Sequence, residues 1–62
     1  MNKFNKEVAD LLFKIADALE ILGEMQFKVL AYRKAARVIS ELPEDLRKIY
    51  KEGKLEEIPG IG

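Results

Sequence analysis

The chain has 62 residues, and its eleven basic and eleven acidic side chains give a formal net charge of zero. A chain of this length forms one small domain with a thin margin of stability. It contains neither cysteine nor histidine, which excludes disulfides, argues against a structural zinc site and removes the Cys–His and Ser–His nucleophile pairs. The sequence has no secretory signal and no apolar stretch near the roughly 20 residues that cross a membrane. We therefore predict a cytoplasmic domain without a membrane partner.

The first predicted helix extends from about Asn5 to Leu22. Its aliphatic residues recur at spacings of four and three, on one face of a helix: Val8, Leu12, Ile15, Leu19 and Leu22. We expect the side chain of Asn5 to cap the N-terminus. Gly23 is expected to end the helix, because glycine enters the left-handed backbone region at little cost.

The second predicted helix extends from about Gln26 to Glu41. Its apolar side is expected to hold Ala31, Ala35, Val38, Ile39 and Leu42. The segment from Met25 to Ser40 carries four basic residues and no acidic one: Lys28, Arg33, Lys34 and Arg37. A chain of zero net charge thus has one locally basic segment, and local charge matters for an anionic partner.

The third predicted helix begins near Pro43, a residue that suits a first helical turn, and ends at Gly53. Residues 54–57 have room for one more helical turn. A continuing helix is not expected after this turn, because proline and two glycines follow in Ile58-Pro59-Gly60-Ile61-Gly62. The expected fold class is all-α, a small bundle of three main helices plus a short fourth turn of helix.

Two local features allow both a functional and a structural interpretation. Lys28, Tyr32 and Arg33 can together hold a phosphate, but they can equally form a solvated face.

The terminal turn can be the first half of a DNA-binding hairpin, in which glycine amides approach a phosphate closely. It can also be a plain glycine-rich tail, because short motifs recur by chance.

Three strings, taken in order, resemble one protein family: Ala31-Tyr32-Arg33-Lys34-Ala35-Ala36, then Ile39 with Leu42-Pro43, then Ile58-Pro59-Gly60-Ile61-Gly62. Their order and spacing are similar to the N-terminal eight-kilodalton, polymerase-beta-like domain of the family X DNA polymerases. The resemblance covers essentially the whole chain, and bacterial and archaeal members look most similar. It implies a helical domain that enters a helix-hairpin-helix at residues 54–62 and is truncated within it.

In that family the domain binds the 5′-phosphate on the downstream side of a short DNA gap. By this resemblance, Lys28 and Tyr32 match positions that contact the phosphate, and Arg33 belongs to the same motif. Gly60 and Gly62 match the hairpin glycines that approach a phosphate.

The resemblance also implies a monovalent cation, potassium or sodium, at the backbone of Ile58 and Ile61. No other cofactor is implied for this chain. Magnesium is expected only in the polymerase domains, which this sequence does not include.

Three departures from the family pattern reduce the expected activity. Some members form a Schiff base with an abasic sugar through a lysine on the helix after the hairpin, and that position would follow Gly62. Phe27 stands where some members carry a histidine. Glu56 and Glu57 add negative charge beside the hairpin. We expect no catalysis from this chain alone, although it resembles part of a nucleotidyltransferase.

The sequence therefore predicts a single helical DNA-binding domain, residues 1–62, from a polymerase of DNA repair and gap filling. Its expected partners are gapped or 5′-phosphorylated DNA and the polymerase domains of the same parent chain. The alternative is a helical protein–protein interaction module whose basic segment is merely solvated. A fragment kept for folding studies is also compatible with the length.

Overall fold

The computed structural model describes residues 2–61 and contains only helices and turns in that range. Three α-helices follow in order, α1 (Lys3–Ile21), α2 (Gln26–Ser40) and α3 (Leu46–Lys51), and a 3₁₀ turn covers Leu55–Glu57. The all-α prediction, with three main helices and a short fourth turn, is confirmed. Among residues 2–61, no helix combines the length and the apolar character that a membrane crossing requires.

Helices α1 and α2 form an antiparallel pair around a small core. Residues near the start of α1 meet residues near the end of α2, as Ala9 does with Ala36 and Ile39. The buried apolar positions carry small or β-branched side chains: Ala9, Ala16, Val29, Ala36, Ile39, Ile49 and Ile58. The buried alanines of α1 and α2 let these two helices approach closely.

Two members of the predicted apolar stripes were placed wrongly. Leu22 is 80% exposed, because it follows the last residue of α1 and lies in the turn. Ala31 is exposed as well. The buried side of α2 is centred on Val29 and Ala36, two helical turns apart, and this rotates Ala31 away from α1.

Gly23 and Gly53 end their helices as predicted. Both have positive φ, +78° and +69°, which places them in the left-handed region that glycine favours. After α1, the Glu24 amide donates to the carbonyl of Leu19 at 3.0 Å. Such a bond across the left-handed glycine satisfies a carbonyl that the helix end would otherwise leave unpaired.

The predicted starts of the first and third helices were wrong. Asn2, not Asn5, caps α1, and its side chain accepts from the Asn5 amide. Helix α3 begins at Leu46 with Asp45 as its cap, so Pro43 lies in the bend before the helix. The Asp45 side chain accepts a hydrogen bond from the Arg47 amide. It thereby satisfies an amide that the helix start would leave unpaired, which a proline side chain at position 43 cannot do.

Asn5 instead connects α1 to the start of α3. Its side chain is 1% exposed, donates from Nδ2 to the Glu44 carbonyl at 2.7 Å and accepts from the Leu46 amide at 2.8 Å. Asn2 Nδ2 donates to Asp45 Oδ2 at 2.9 Å. A short helix that is marginal alone is thereby held against α1, and the chain after it is directed back towards α2.

Candidate nucleic-acid interface

Lys28 and Tyr32 lie one turn apart on α2, about 6 Å along the helix axis. The Tyr32 ring is partly exposed, at 38%. Lys28 Nζ forms an ion pair with Glu24 Oε1 at 3.3 Å, and this hydrogen bond lowers the pKa of the Glu24 carboxyl below its usual value. The ammonium group of Lys28 therefore faces solvent with one exposed carboxylate as its partner, which a competing anion can displace.

Arg33 faces the first helix. Its Nη2 lies 2.9 Å from Glu20 Oε1 and 3.2 Å from Asp17 Oδ1, both on α1. The guanidinium therefore bridges α1 and α2. A phosphate would have to compete with two carboxylates for it.

The terminal turn is folded back on the core. Ile58 is 7% exposed, and Ile61 packs against the cluster of Ala9, Ala36 and Ile39. The Ile61 amide donates to the Ile58 carbonyl at 3.0 Å. Apolar side chains on both sides of the turn thus anchor it and present Pro59 and Gly60 outward, where both are exposed.

Gly60 occupies the tip of this turn with a φ of +89°. Within residues 2–61, its amide donates to no backbone carbonyl, so the N–H is available to an external acceptor. Gly62, the second predicted hairpin glycine, lies outside the described residues.

Lys34 reaches the same turn from α2. A Cβ placed on Gly60 would lie 3.3 Å from Lys34 Cε and 3.6 Å from both Cδ and Cγ. The alkyl chain of Lys34 therefore covers Gly60 and carries its ammonium group to the edge of the turn. Within residues 2–61, no carboxylate lies within ion-pair distance of Lys34. Sequence reasoning placed Lys34 in the basic segment but missed this contact, because no local pattern relates positions so far apart.

The two backbone carbonyls of the predicted cation site each keep at least one lone pair that no backbone amide of residues 2–61 uses. The Ile58 carbonyl accepts one N–H and keeps a second lone pair, and the Ile61 carbonyl accepts from no backbone amide of residues 2–61. Such oxygens fit a hard cation. Within that same range, no three histidine, cysteine, aspartate or glutamate side chains converge on a metal-binding arrangement.

One protein family matches the chain over residues 3–62, and its description is "Helix-hairpin-helix domain". The match includes all three helices, the 3₁₀ turn and the turn at Gly60. No curated protein and no solved structure matches the chain.

Proposed function

Because this chain belongs to the helix-hairpin-helix domain family, whose members commonly bind DNA, we propose that it recognises the 5′-phosphate side of gapped DNA. The observation that carries the proposal is the pair of Lys28 and Tyr32 on one exposed side of α2. Lysine supplies a compact positive charge and tyrosine a hydroxyl donor, and a terminal phosphate can accept hydrogen bonds from both groups.

The hairpin gives the second contact. The Gly60 amide has no backbone acceptor within residues 2–61 and lies at an exposed turn, where it can donate to a phosphate. Phosphate contacts of this kind position a protein on DNA without reading its sequence. We propose the same role for Gly62.

Arg33 takes a lesser part in the proposed site. It binds the terminal phosphate only when it leaves Asp17 and Glu20, so its main contribution is to hold α2 against α1. A potassium or sodium ion held by the Ile58 and Ile61 carbonyls would add positive charge beside the hairpin. Glu56 and Glu57 lie next to this turn and oppose the phosphate, which makes the proposed binding weak.

The parent activity we propose is that of a family X DNA polymerase acting in cytoplasmic DNA repair. The support is the residue resemblance over the whole chain, in particular the Ala31–Ala36 string and the terminal Pro-Gly turn. In this proposal the domain binds the gap, while nucleotide transfer and magnesium belong to other domains. The role of this chain is to bind the downstream DNA end.

Binding to a labelled one-nucleotide-gapped duplex tests the proposal by fluorescence anisotropy at low salt. We expect a 5′-phosphate on the downstream strand to tighten binding over a 5′-hydroxyl. Lys28→Gln is expected to remove this preference, and Tyr32→Phe to reduce it. Lys14→Gln is the matched control, because Lys14 is an exposed lysine on α1. Equal effects of Lys28→Gln and Lys14→Gln would contradict a specific phosphate site.

The alternative function, a protein–protein interaction module, is favoured by one observation. Large apolar side chains are exposed around the α1–α2 turn: Ile21, Leu22, Met25, Phe27 and Leu30. Such a patch is typical of an interaction surface. This candidate predicts binding with little salt dependence that Leu22→Ser abolishes and Lys28→Gln leaves intact.

A further inference from the structure

A groove of about 740 Å³ lies between the outer side of α3 and the start of α1. Four apolar or aromatic side chains line it: Phe4, Leu46, Tyr50 and Leu55. Ile49 lies on the other side of α3 and is buried, with 9% exposure. The short helix therefore buries one side and leaves an apolar surface open on the other, and such a surface is typical of an interaction site.

Two side chains give this groove its shape. Both carboxylate oxygens of Asp45 accept from the Arg47 guanidinium, at 3.0 and 2.7 Å, and the guanidinium carbon lies 4.3 Å from the centre of the Phe4 ring. Tyr50 lines the groove but is 70% exposed, so its ring projects from the surface. One surface thus combines a hollow with a projecting aromatic side chain, which suits a contact between two identical surfaces.

Charges of opposite sign lie at the two ends of α3. Glu44 precedes the helix, whereas Lys48 and Lys51 lie in its last turn. Glu44 pairs with Lys48 at 3.3 Å, but both side chains are exposed, so this ion pair is exchanged easily. Within residues 2–61, no carboxylate lies within ion-pair distance of Lys51. If two copies of α3 pack antiparallel, the lysine end of each meets the acidic end of the other.

We propose that this groove is the interface of a symmetric homodimer, in which two copies of α3 pack antiparallel across a two-fold axis. The Tyr50 ring of each copy enters the groove of the other, and Lys51 of each copy pairs with the partner's Glu44. Two copies of zero net charge do not repel each other at long range.

The dimer is independent of the proposed DNA binding and leaves its site open. Lys28 and Tyr32 lie in the first half of α2, beside the end of α1, where Arg33 contacts Glu20. The groove lies at the opposite end of this helix pair, beside Phe4. A dimer therefore presents two separate α2 surfaces.

Sedimentation velocity of the whole chain between about 1 μM and about 1 mM tests for the dimer. We expect the sedimentation coefficient to rise with concentration towards the value of a dimer. Tyr50→Ser should weaken self-association by about tenfold or more. Leu22→Ser changes a similarly exposed apolar side chain in the α1–α2 turn and should leave self-association unchanged. Circular dichroism checks that each variant is folded.

Charge reversal tests the antiparallel arrangement. Lys51→Glu and Glu44→Lys each place like charges together twice in the symmetric dimer, so each alone should weaken it by about three- to tenfold. In a mixture of the two variants both contacts again join opposite charges. The ¹⁵N-labelled Lys51→Glu variant should therefore bind unlabelled Glu44→Lys with the affinity of the unaltered dimer, measured by its slower diffusion in NMR. It should bind unlabelled Lys14→Glu, a reversal at an exposed position of α1, more weakly.

Three results would overturn the proposed dimer. A chain that stays monomeric up to about 1 mM has no such interface, and the proposed DNA binding is then unaffected. Self-association that Leu22→Ser abolishes and Tyr50→Ser leaves intact would place the interface at the α1–α2 turn. If the labelled Lys51→Glu variant binds Glu44→Lys no better than Lys14→Glu, the two copies of α3 do not pack antiparallel.

Discussion

Asn5 is the single polar side chain among the fully buried ones of residues 2–61. Burying an amide without partners costs free energy, and Asn5 meets this cost with two hydrogen bonds to the chain that enters α3. Its burial therefore depends on the correct placement of α3. The residue couples the first and third helices of a domain with few other connections between them.

Asn5→Ala is expected to lower the free energy of unfolding by about 1–3 kcal/mol, because it leaves the Glu44 carbonyl and the Leu46 amide without partners. Urea unfolding followed by circular dichroism measures this loss. Asn2→Ala removes the N-cap of α1 and the hydrogen bond to Asp45, both at a partly exposed position, and should cost about 1 kcal/mol. An equal or larger loss for Asn2→Ala would contradict the role given to Asn5.

Asp45 makes the stability of the fold sensitive to acid. The hydrogen bonds from the Arg47 side chain, with a further one from Asn2, hold the pKa of the Asp45 carboxyl well below its usual value. A carboxyl with a lowered pKa in the folded state stabilises the fold above its ordinary pKa, and this stabilisation is lost as the pH falls below about 4. We expect wild-type protein to lose more stability between pH 7 and pH 2.5 than Asp45→Asn does. Equal losses in thermal unfolding would show that Asp45 has no such role.

In the proposed site, Glu24 would compete with DNA for Lys28. Because its carboxylate pairs with the Lys28 ammonium at 3.3 Å, Glu24→Gln should free the lysine and tighten binding of 5′-phosphorylated gapped DNA by about two- to fivefold, the range of an exposed ion pair. Glu52→Gln changes the net charge equally at an exposed position on another element and serves as the control. A gain of the same size in both variants would show that the change in net charge, and not the release of Lys28, tightens binding.

At the scale of elements, the terminal turn depends on a glycine in the left-handed region. An alanine at Gly60 would carry a backbone strain of about 1–2 kcal/mol and would also press on Lys34. Gly53 has a similar positive φ with open space around it, so Gly53→Ala matches the strain without touching the turn. We expect both variants to lose similar stability and only Gly60→Ala to bind DNA more weakly. Anisotropy titration against gapped duplex separates the two effects.

The helices and their C-terminal ends could be predicted from the sequence, because they depend on local patterns. Periodic aliphatic residues indicated α1 and α2, and Gly23 and Gly53 marked two helix ends. The helix starts were less predictable. The sequence predicted Asn5 as a helix cap, but its hydrogen-bond partners, the Glu44 carbonyl and the Leu46 amide, lie about forty positions further along the chain. The contact of Lys34 with Gly60 was hidden for the same reason, since tertiary packing and not local sequence brings them together.

At the scale of the whole molecule, the protein has zero net charge and an elongated shape, 36 × 21 × 15 Å. The charges of the two signs are separated along the chain. Lys28 and Lys34 are exposed on α2, which carries no acidic residue, and the acidic residues lie elsewhere in the chain. Many large apolar side chains remain exposed, including those of Leu11 and Tyr50. Such a domain is a weak and mainly electrostatic ligand of DNA in our account.

The salt dependence of binding tests that description. The single lysine–phosphate contact at Lys28 should give a slope of log K against log salt of about −1 on duplex DNA, with dissociation constants in the range of about 10⁻⁴ to 10⁻⁶ M that is typical of non-specific binding. A slope near zero would favour the exposed apolar patch as the binding surface.

The central claim, that the α2 surface recognises a terminal phosphate, is tested most directly by an NMR titration. The ¹⁵N-labelled protein is titrated with two gapped duplexes that differ only in a downstream 5′-phosphate or 5′-hydroxyl. We predict larger shifts at Lys28 and Tyr32 with the phosphorylated DNA, and equal shifts at Gly60 with both. The same shifts at Lys28 and Tyr32 with either DNA would contradict recognition of the 5′-phosphate.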